Sequence, residues 1–382
     1  MNIGIIGVGR LGLAYALVFE QKKFTVFASS YKKDYVDNLK LRKTDTPEPN
    51  IADMLSAAEN INFTIDNHEI INNCNLIYVM VATPSTDKGD YDVSAVIDVA
   101  KDMLNHPNDV AGKILVIGST VNPGTCQLIQ DLLADREVHV VYSPTFVAQG
   151  TVVRDIQNPH TLSLGTDNLE VARQCQEVFG TIVADDTPIY VMNSVTAEIL
   201  KLAGNCRAIM NISFSNMIGQ VLLNCGLDKD MDTAAEYLNF IKRDQKTKFG
   251  FGYGGPCYPR DNRAFIQYTR GIGLDYPMGE LLDNFNQDHI KWLTSYFIKN
   301  NSDKLPFYFS YVSYKKGVNI FEESHQLAVC RNLLSKGNTV YIELSEFLLP
   351  KIQQDLLNEF ANNIKFVKLA DLDVNDVYVI DI

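Results

Sequence analysis

One cysteine stands in surroundings unlike those of the other six. Cys257 lies in Phe249-Gly250-Phe251-Gly252-Tyr253-Gly254-Gly255-Pro256-Cys257-Tyr258-Pro259-Arg260-Asp261, a run so rich in glycine that neither helix nor strand would persist through it. It reads as a loop that brings backbone close to a ligand and presents a thiol beside an aspartate four residues on. A thiol so placed is a candidate for thiolate chemistry. The cysteines at 74, 126, 175, 206, 225 and 330 sit in apolar, helix-like or strand-like stretches and read as inert core residues. They form no CxxC pair or Cys/His cluster, so neither a disulfide framework nor a metal site is expected, and a reducing, cytoplasmic compartment is.

A second pattern, Gly7-Val8-Gly9-Arg10-Leu11-Gly12, follows the apolar run Asn2–Ile6 and precedes a helical pattern through Leu13, Ala16 and Leu17. The first glycine permits a tight turn, the second lets backbone approach a pyrophosphate, and the third lets helix and strand pack closely. The expected ligand is a dinucleotide held by Gly7, Gly9, Arg10, Leu11 and Gly12. An acid at the end of the second strand would bind the adenosine ribose of NAD, but the segment reads Phe27-Ala28-Ser29-Ser30-Tyr31-Lys32-Lys33. Two readings stay open: the lysines meet a 2′-phosphate, which favours NADP, or they are solvated and Ser29 and Ser30 hold the ribose.

A chain of 382 residues must position these groups, and at roughly 150 residues per domain that is two or three domains. The formal charge, 34 basic against 46 acidic residues or −12, argues against a general nucleic-acid surface. With 46% apolar and 21% charged residues, a disordered or fibrous chain is excluded. The apolar start lacks a basic n-region and is broken by glycines, unlike a secretory signal. No apolar stretch reaches the ~18 residues that span a bilayer, so no membrane association is expected.

Phe24 to Ala28 reads as a second strand, completing a βαβ unit over residues 1–30. Leu76–Ala82, Ile114–Ile117, Val138–Tyr142 and Thr161–Gly165 are predicted strands, with a helix around Val93–Leu104. From Ser194 to about Cys225 apolar residues fall on every side, which predicts a long helix covered by neighbouring helices or a second subunit. Near residue 305 the α/β rhythm returns, with strands Phe307–Val312 and Thr339–Ile342, a helix Glu322–Leu334 closed by Gly337, and a last strand in VYVIDI. The fold class is α/β, with two Rossmann-like α/β domains joined by a long central helix. The expected domains are 1–193, binding the dinucleotide, 194–300, helical and forming a homodimer, and 301–382, a smaller α/β domain.

The loop GFGYGGPCYPRD resembles the active-site loop of the UDP-glucose and GDP-mannose dehydrogenase family. Four more segments resemble that family, in order, over nearly the whole chain. Ala82-Thr83-Pro84 followed by Asp90-Tyr91-Asp92 is similar to its strand-four loop, and Ser119-Thr120-Val121-Asn122-Pro123-Gly124-Thr125 to its STVxPGT loop. Tyr142-Ser143-Pro144-Thr145-Phe146-Val147-Ala148-Gln149-Gly150 is similar to its NPEFLxEG segment, and Ala197-Glu198-Ile199-Leu200-Lys201-Leu202-Ala203-Gly204-Asn205 to its AExxKLxxN helix.

The resemblance implies oxidation of a hexose C6 alcohol to a carboxylate with two NAD consumed, Cys257 attacking the intermediate aldehyde and passing through a thiohemiacetal and a thioester. It implies that Lys201 and Asn205, at i and i+4 on one helical face, stabilise the oxyanion. Asp261, with Thr120 and a water, would handle the alcohol proton. Thr83, Pro84 and Thr120 would join the cofactor site. The expected substrate contacts are Thr145, Phe146, Val147, Gln149, Lys201, Arg243, Phe249, Tyr253, Gly254 and Lys315, with Arg243 and Arg260 as cations for the diphosphate or sugar. Segment lengths favour UDP-glucose, lying between the two α/β domains with the C-terminal one helping to bind the nucleotide.

The family pattern is broken at four polar positions. The two glutamates of NPEFLxEG, the first of which serves the family as base for the hydrolytic water, are here Thr145 and Gln149, and neither can take a proton at neutral pH. After Tyr314-Lys315, the Arg-Glu-Ser triplet reads Glu322-Glu323-Ser324, and His160 stands where an arginine is usual. The hydrolytic half-reaction is therefore expected to be the weak step. A non-catalytic relative that binds a dinucleotide or nucleotide sugar is one alternative. A 3-hydroxyacid or 6-phosphogluconate type dehydrogenase is another, though it has no use for a cysteine in a glycine loop or for a third α/β domain. Against the family the chain ends early, at a strand with little beyond it.

Overall fold

The computed structural model of the chain describes residues 1–242, 249–274 and 276–380 and divides into two units, Met1–Leu202 and Ala203–Ile382. In the first unit the glycine pattern joins β1 (Asn2–Ile6) to α1 (Arg10–Gln21), which leads to β2 (Thr25–Ser29). The chain continues through α2 (Lys33–Lys40), α3 (Ile51–Ala57), β3 (Ile61–Thr64), α4 (Asn67–Asn73) and β4 (Leu76–Val79). Then come α5 (Ser94–Leu104), β5 (Ile114–Ile117), α6 (Thr125–Leu132), β6 (His139–Tyr142), α7 (Val152–Gln157), β7 (Leu162–Gly165), α8 (Leu169–Gly180) and β8 (Ile189–Met192).

The eight strands lie in the order β3-β2-β1-β4-β5-β6-β7-β8, parallel throughout except at the pairing of β6 with β7. This is a doubly wound sheet with its switch point between β1 and β4. Period-two alternation divides its side chains between two cores. Ile3, Ile5, Leu76, Tyr78, Ile114 and Val116 join Leu13, Leu17 and Phe179 from α1 and α8 on one face. Ile6, Ile77, Val79, Leu115 and Ile117 join Ile70, Val99, Met103 and Ile129 from α4, α5 and α6 on the other. β4 stops at Val79, short of the predicted Ala82, where the chain crosses the glycine turn. A side chain at Gly7 would meet Met80 and Val81 backbone atoms within 2.7 Å.

The long helix predicted from Ser194 is α9 (Ser194–Asn224), and the boundary between the units falls inside it. The second unit adds α10 (Met231–Lys242), α11 (Tyr258–Gly271) and α12 (Pro277–Asn300), then β9 (Phe307–Phe309), α13 (His325–Ser335), β10 (Val340–Glu343), α14 (Pro350–Phe360), β11 (Ile364–Val367) and β12 (Tyr378–Val379). Its four strands, in the order β11-β10-β9-β12, are all parallel. Their core gathers Phe307, Phe309, Val340 and Ile342 with Val329 and Leu333 of α13 and Leu293 and Phe297 of α12.

α13 begins at His325, later than the predicted Glu322. Glu323 takes a left-handed φ of 45°, and the Ser324 hydroxyl caps the helix by accepting from Leu327 N at 3.2 Å. The cysteine expectation needs one correction. Cys74, Cys126, Cys175, Cys206 and Cys330 are buried, but Cys225 lies exposed just past the end of α9, where the apolar helical pattern no longer faces a core.

Candidate active site

In the first unit the glycine turn is built as its spacing requires. Gly7 has φ of 100°, and its N–H and that of Val8 both donate to the Ser29 carbonyl, at 3.0 and 2.8 Å. A side chain at Gly12 would lie 2.3 Å from the Gly7 carbonyl oxygen, so only glycine lets α1 start against β1. Nothing lies within 4 Å of the position a Gly9 side chain would take. Space is open where the fingerprint brings backbone to a pyrophosphate, so these residues fit a dinucleotide. The two serines differ. Ser29 is buried and its hydroxyl donates to Asn67 Oδ1 at 2.7 Å, with Asn67 Nδ2 bonded to Asp102 at 2.8 Å. Ser30 is half-buried, and its oxygen accepts a long bond from Lys32 N.

The loops after β4 and β5 pin each other at the same carboxyl edge. The Thr83 hydroxyl donates to the Thr120 carbonyl at 2.7 Å, and the Asn122 amide clasps Tyr91 by both backbone groups at 2.8 and 2.9 Å. Pro84 supplies the carbonyl that receives Asp92 N. The segment after β6 brings Thr145 and Phe146 to Lys201. That lysine is only 7% exposed; its Nζ donates to the Thr145 carbonyl at 3.0 Å and stands 4.3 Å from the centre of the Phe146 ring. Phe146 is itself substantially exposed, and Val147 packs against the core. Gln149 Oε1 accepts from Arg10 Nη1 at 3.4 Å, so the altered segment meets the glycine turn through a neutral amide.

Two carboxylates that sequence reasoning gave no role hold this half together. Glu198, fully buried, accepts from Gly124 N at 2.6 Å and Cys126 N at 2.8 Å, tying the start of α6 to α9, and burial raises its pKa. Glu48, also buried, accepts from Gly150 N at 2.9 and 3.0 Å. The signal for Glu198 was its place in the AExxKLxxN segment; Glu48 had none, because its partner lies 102 residues away.

In the second unit Cys257 is exposed and is the N-cap residue of α11. The unsatisfied N–H groups at a helix start carry partial positive charge, which favours the anionic form of a nucleophile there. Burial pushes Cys74, Cys175, Cys206 and Cys330 up to about 12 instead, as expected of inert thiols. Asp261 lies in the first turn of α11, 1% exposed, and Asn205 Nδ2 donates to its carboxylate at 2.5 Å. Two residues predicted for separate roles, Asn205 and Asp261, are thus brought into contact.

The glycine loop is clasped on several sides. Gly250 N donates to Asn216 at 3.1 Å, and Gly250 O accepts from His289 Nε2 at 2.8 Å. Gly252 N donates to His325 Nδ1 at 2.9 Å, and Asn286 takes both backbone groups of Tyr253 at 3.1 and 2.9 Å. These partners assign both imidazoles as the neutral Nε2–H form, with His289 Nδ1 accepting from Gln220. The closeness explains the glycines: a side chain at Gly252 would meet Asn286 and His325 within 2.3 Å, and one at Gly254 would meet the Glu323 carbonyl at 2.2 Å.

Tyr253 is buried with its hydroxyl on Asp283 at 2.7 Å, and Phe249 packs edge-on against His289 and Trp292. Both are anchors of the loop. Lys315 is exposed, as is Glu322, whose carbonyl accepts from Gly255 N. Glu323 takes both terminal nitrogens of Arg263 at 2.7 and 2.8 Å, while Arg263 Nε reaches Asp283 at 3.2 Å. Sequence reasoning missed Arg263, whose partner is 60 residues away. Arg243 lies outside the described residues. Among the described residues no group of His, Cys, Asp and Glu could hold a metal ion, and no helix is long and apolar enough to cross a membrane.

Comparison with known proteins bears on both halves. Residues 1–183 match the NAD binding domain of the UDP-glucose/GDP-mannose dehydrogenase family, and residues 195–288 its central domain. An uncharacterized protein of Methanocaldococcus jannaschii is 29% identical over 300 residues, 77% of this chain and 33% of that protein. The UDP-glucose 6-dehydrogenase TuaD of Bacillus subtilis is 27% identical over 294 residues, 75% of this chain and 63% of that protein. The chain thus spans from one third to just under two thirds of the length of these relatives. The UDP-glucose dehydrogenase of Pyrobaculum islandicum superposes with a TM-score of 0.83 at 21% identity, over 99% of this chain and 89% of that one. The UDP-D-ManNAc dehydrogenase of Pyrococcus horikoshii gives 0.77 at 18% identity, over 100% and 99%. At those identities the likeness is one of fold.

Proposed function

Because the chain belongs to the UDP-glucose/GDP-mannose dehydrogenase family, we propose that it oxidises the C6 alcohol of a UDP-hexose, UDP-glucose first, to the uronate. The observation that carries this reading is the exposed Cys257 at the start of α11 with the Asn205–Asp261 pair one turn on. The dinucleotide, held by Gly7, Gly9, Arg10, Leu11, Gly12 and the Thr83, Pro84 and Thr120 loops, supplies the hydride acceptor. Asp261, with Thr120 and a water, takes the alcohol proton, and Asn205 keeps that carboxylate oriented. The Cys257 thiolate adds to the aldehyde carbon to give a thiohemiacetal, whose oxyanion Lys201 and Asn205 stabilise. Loss of the second hydride to a second oxidised dinucleotide, exchanged for the reduced one, would leave a thioester on Cys257, which water must cleave.

That last step lacks the family's base. Thr145 and Gln149 cannot accept a proton, so thioester hydrolysis is the slow step of this chain. The same two positions favour one other reading, a non-catalytic relative that binds its ligands without turnover. Phe146, Gly254, Lys315 and Arg243 complete the proposed substrate contacts, while Val147, Phe249 and Tyr253, expected among them, anchor the segments that carry them. The central segment 194–300 is read as the dimerising domain and 301–382 as the nucleotide-binding one. The scattered cysteines, without a CxxC pair, suit a reducing cytoplasm.

The test is to incubate the protein with UDP- and GDP-sugars and each cofactor while following absorbance of the reduced nicotinamide. Turnover with a UDP-hexose supports the proposal, and Cys257→Ser should then lose the second oxidation. Binding without turnover for every pair would establish the non-catalytic reading instead.

A further inference from the structure

The carboxyl end of β2 carries an unassigned feature. In a doubly wound dinucleotide site this is where the adenosine ribose is met: an acid there bonds the 2′-hydroxyl and repels a 2′-phosphate, whereas a cation accommodates the phosphate. The strand ends Ala28-Ser29 and runs on into Ser30, with no acid, and the Ser29 hydroxyl is committed to Asn67 and through it to Asp102. Ser29, buried and with its one hydroxyl proton given to Asn67, has no donor left for a ligand.

Beyond the strand opens a groove of about 810 Å³, within the size range of small-ligand sites, lined among others by Tyr31, Lys32, Lys33 and Lys43. Asp34 and Asp45 also line it, leaving one net positive charge among these ionisable side chains. Lys33 is paired with Asp37 at 2.5 Å, but Lys32 and Lys43 have no ion-pair partner among the described residues. Lys32 Nζ stands 5.7 Å from the centre of the Tyr31 ring, and Tyr31, at 87% exposed, presents an aromatic face to solvent. Unpaired ammonium groups beside a bare aromatic face and a serine hydroxyl are the elements that recognise an adenosine bearing a phosphate on its ribose.

We propose that Lys32, Lys43 and Ser30 form a 2′-phosphate subsite, so that the chain binds the 2′-phosphorylated dinucleotide in addition to NAD. Lys32 and Lys43 neutralise the phosphate, the Ser30 hydroxyl donates to it, and the Tyr31 ring stacks on adenine. This inference rests on the reading that the first unit takes a dinucleotide, and its test is independent of any sugar or turnover.

The experiment is calorimetric titration of the full chain with adenosine 2′,5′-bisphosphate and with adenosine 5′-monophosphate. The bisphosphate should bind roughly tenfold more tightly, an advantage that shrinks with added salt. In a Lys32→Ala/Lys43→Ala variant, whose exposed positions tolerate truncation as checked by thermal melting, the two nucleotides should bind alike and the monophosphate as in the parent. Ser30→Asp should reverse the order. Equal affinities in the parent, or a preference that survives the double substitution, would overturn the subsite while leaving the dinucleotide reading intact. Binding of neither nucleotide would bring down both.

Discussion

Cys257 was legible because its neighbours are glycines; what holds it was not. The residues that fix its loop, His289, His325, Asn286 and Asn216, carry no local signature, since they reach it from 33 to 73 residues away. Ser29 shows the same limit: its type suggested a ribose contact, and only its bond to Asn67 reveals a structural task. For the proposed reaction, Thr145 is the substitution with the largest expected consequence. Its carbonyl holds Lys201, so a longer side chain there starts beside the group proposed to face the oxyanion. Thr145→Glu should restore a base and raise the steady-state rate by roughly tenfold or more, given the usual worth of general-base catalysis. The check is steady-state formation of reduced cofactor, and an unchanged rate would mean that hydrolysis is not limiting.

At the scale of elements, most strands and the long α9 followed from apolar periodicity. β3, β8 and β11 were missed, each only four residues long. The antiparallel turn of β6 against β7 was also invisible, because pairing direction is set by tertiary contacts. The glycine loop and its two imidazoles make a pH prediction. Burial and the neighbouring His289 pull His325 down to about 3, from an ordinary value of 6.5. Between those values the unfolded chain binds a proton that the folded one excludes, so stability is full above about pH 6.5 and falls as the pH drops toward 3. Proton entry at His325 Nδ1 would also oppose the Gly252 N–H that it accepts. Denaturant melts between pH 8 and 4 should show this decline, and a His325→Phe variant should lose much of it. That variant should also be less stable by about 1–3 kcal/mol at neutral pH, because Gly252 N–H is left without its acceptor. Gly252→Ala should slow alkylation of Cys257 or broaden its kinetics, since the new methyl displaces the loop from His325 and Asn286.

At the scale of the whole molecule, the sequence predicts that α9 is covered by neighbouring helices or by a second subunit. Within one chain, α9 leaves Met210, Phe214, Met217 and Val221 exposed at spacings of four, three and four. That is a stripe suited to a partner helix, and it supports the proposed homodimer through the central helix. A Met217→Lys/Val221→Lys variant should sediment as a monomer at concentrations where the parent sediments as a dimer; identical sedimentation would remove α9 from the interface. Charge bears on the ligand at this scale too. The acidic chain, at −12, would have to bind the proposed anionic nucleotide sugar through local cations. One acid near the glycine loop, Glu323, is already neutralised by Arg263.

The proposed covalent two-step oxidation, stalling at hydrolysis, can be followed by rapid mixing of the protein with a UDP-hexose and excess oxidised cofactor. A burst of two reduced cofactors per Cys257 should precede a much slower steady rate. Steady turnover from the first cycle at the burst rate, or no cofactor reduction with any nucleotide sugar, would contradict it.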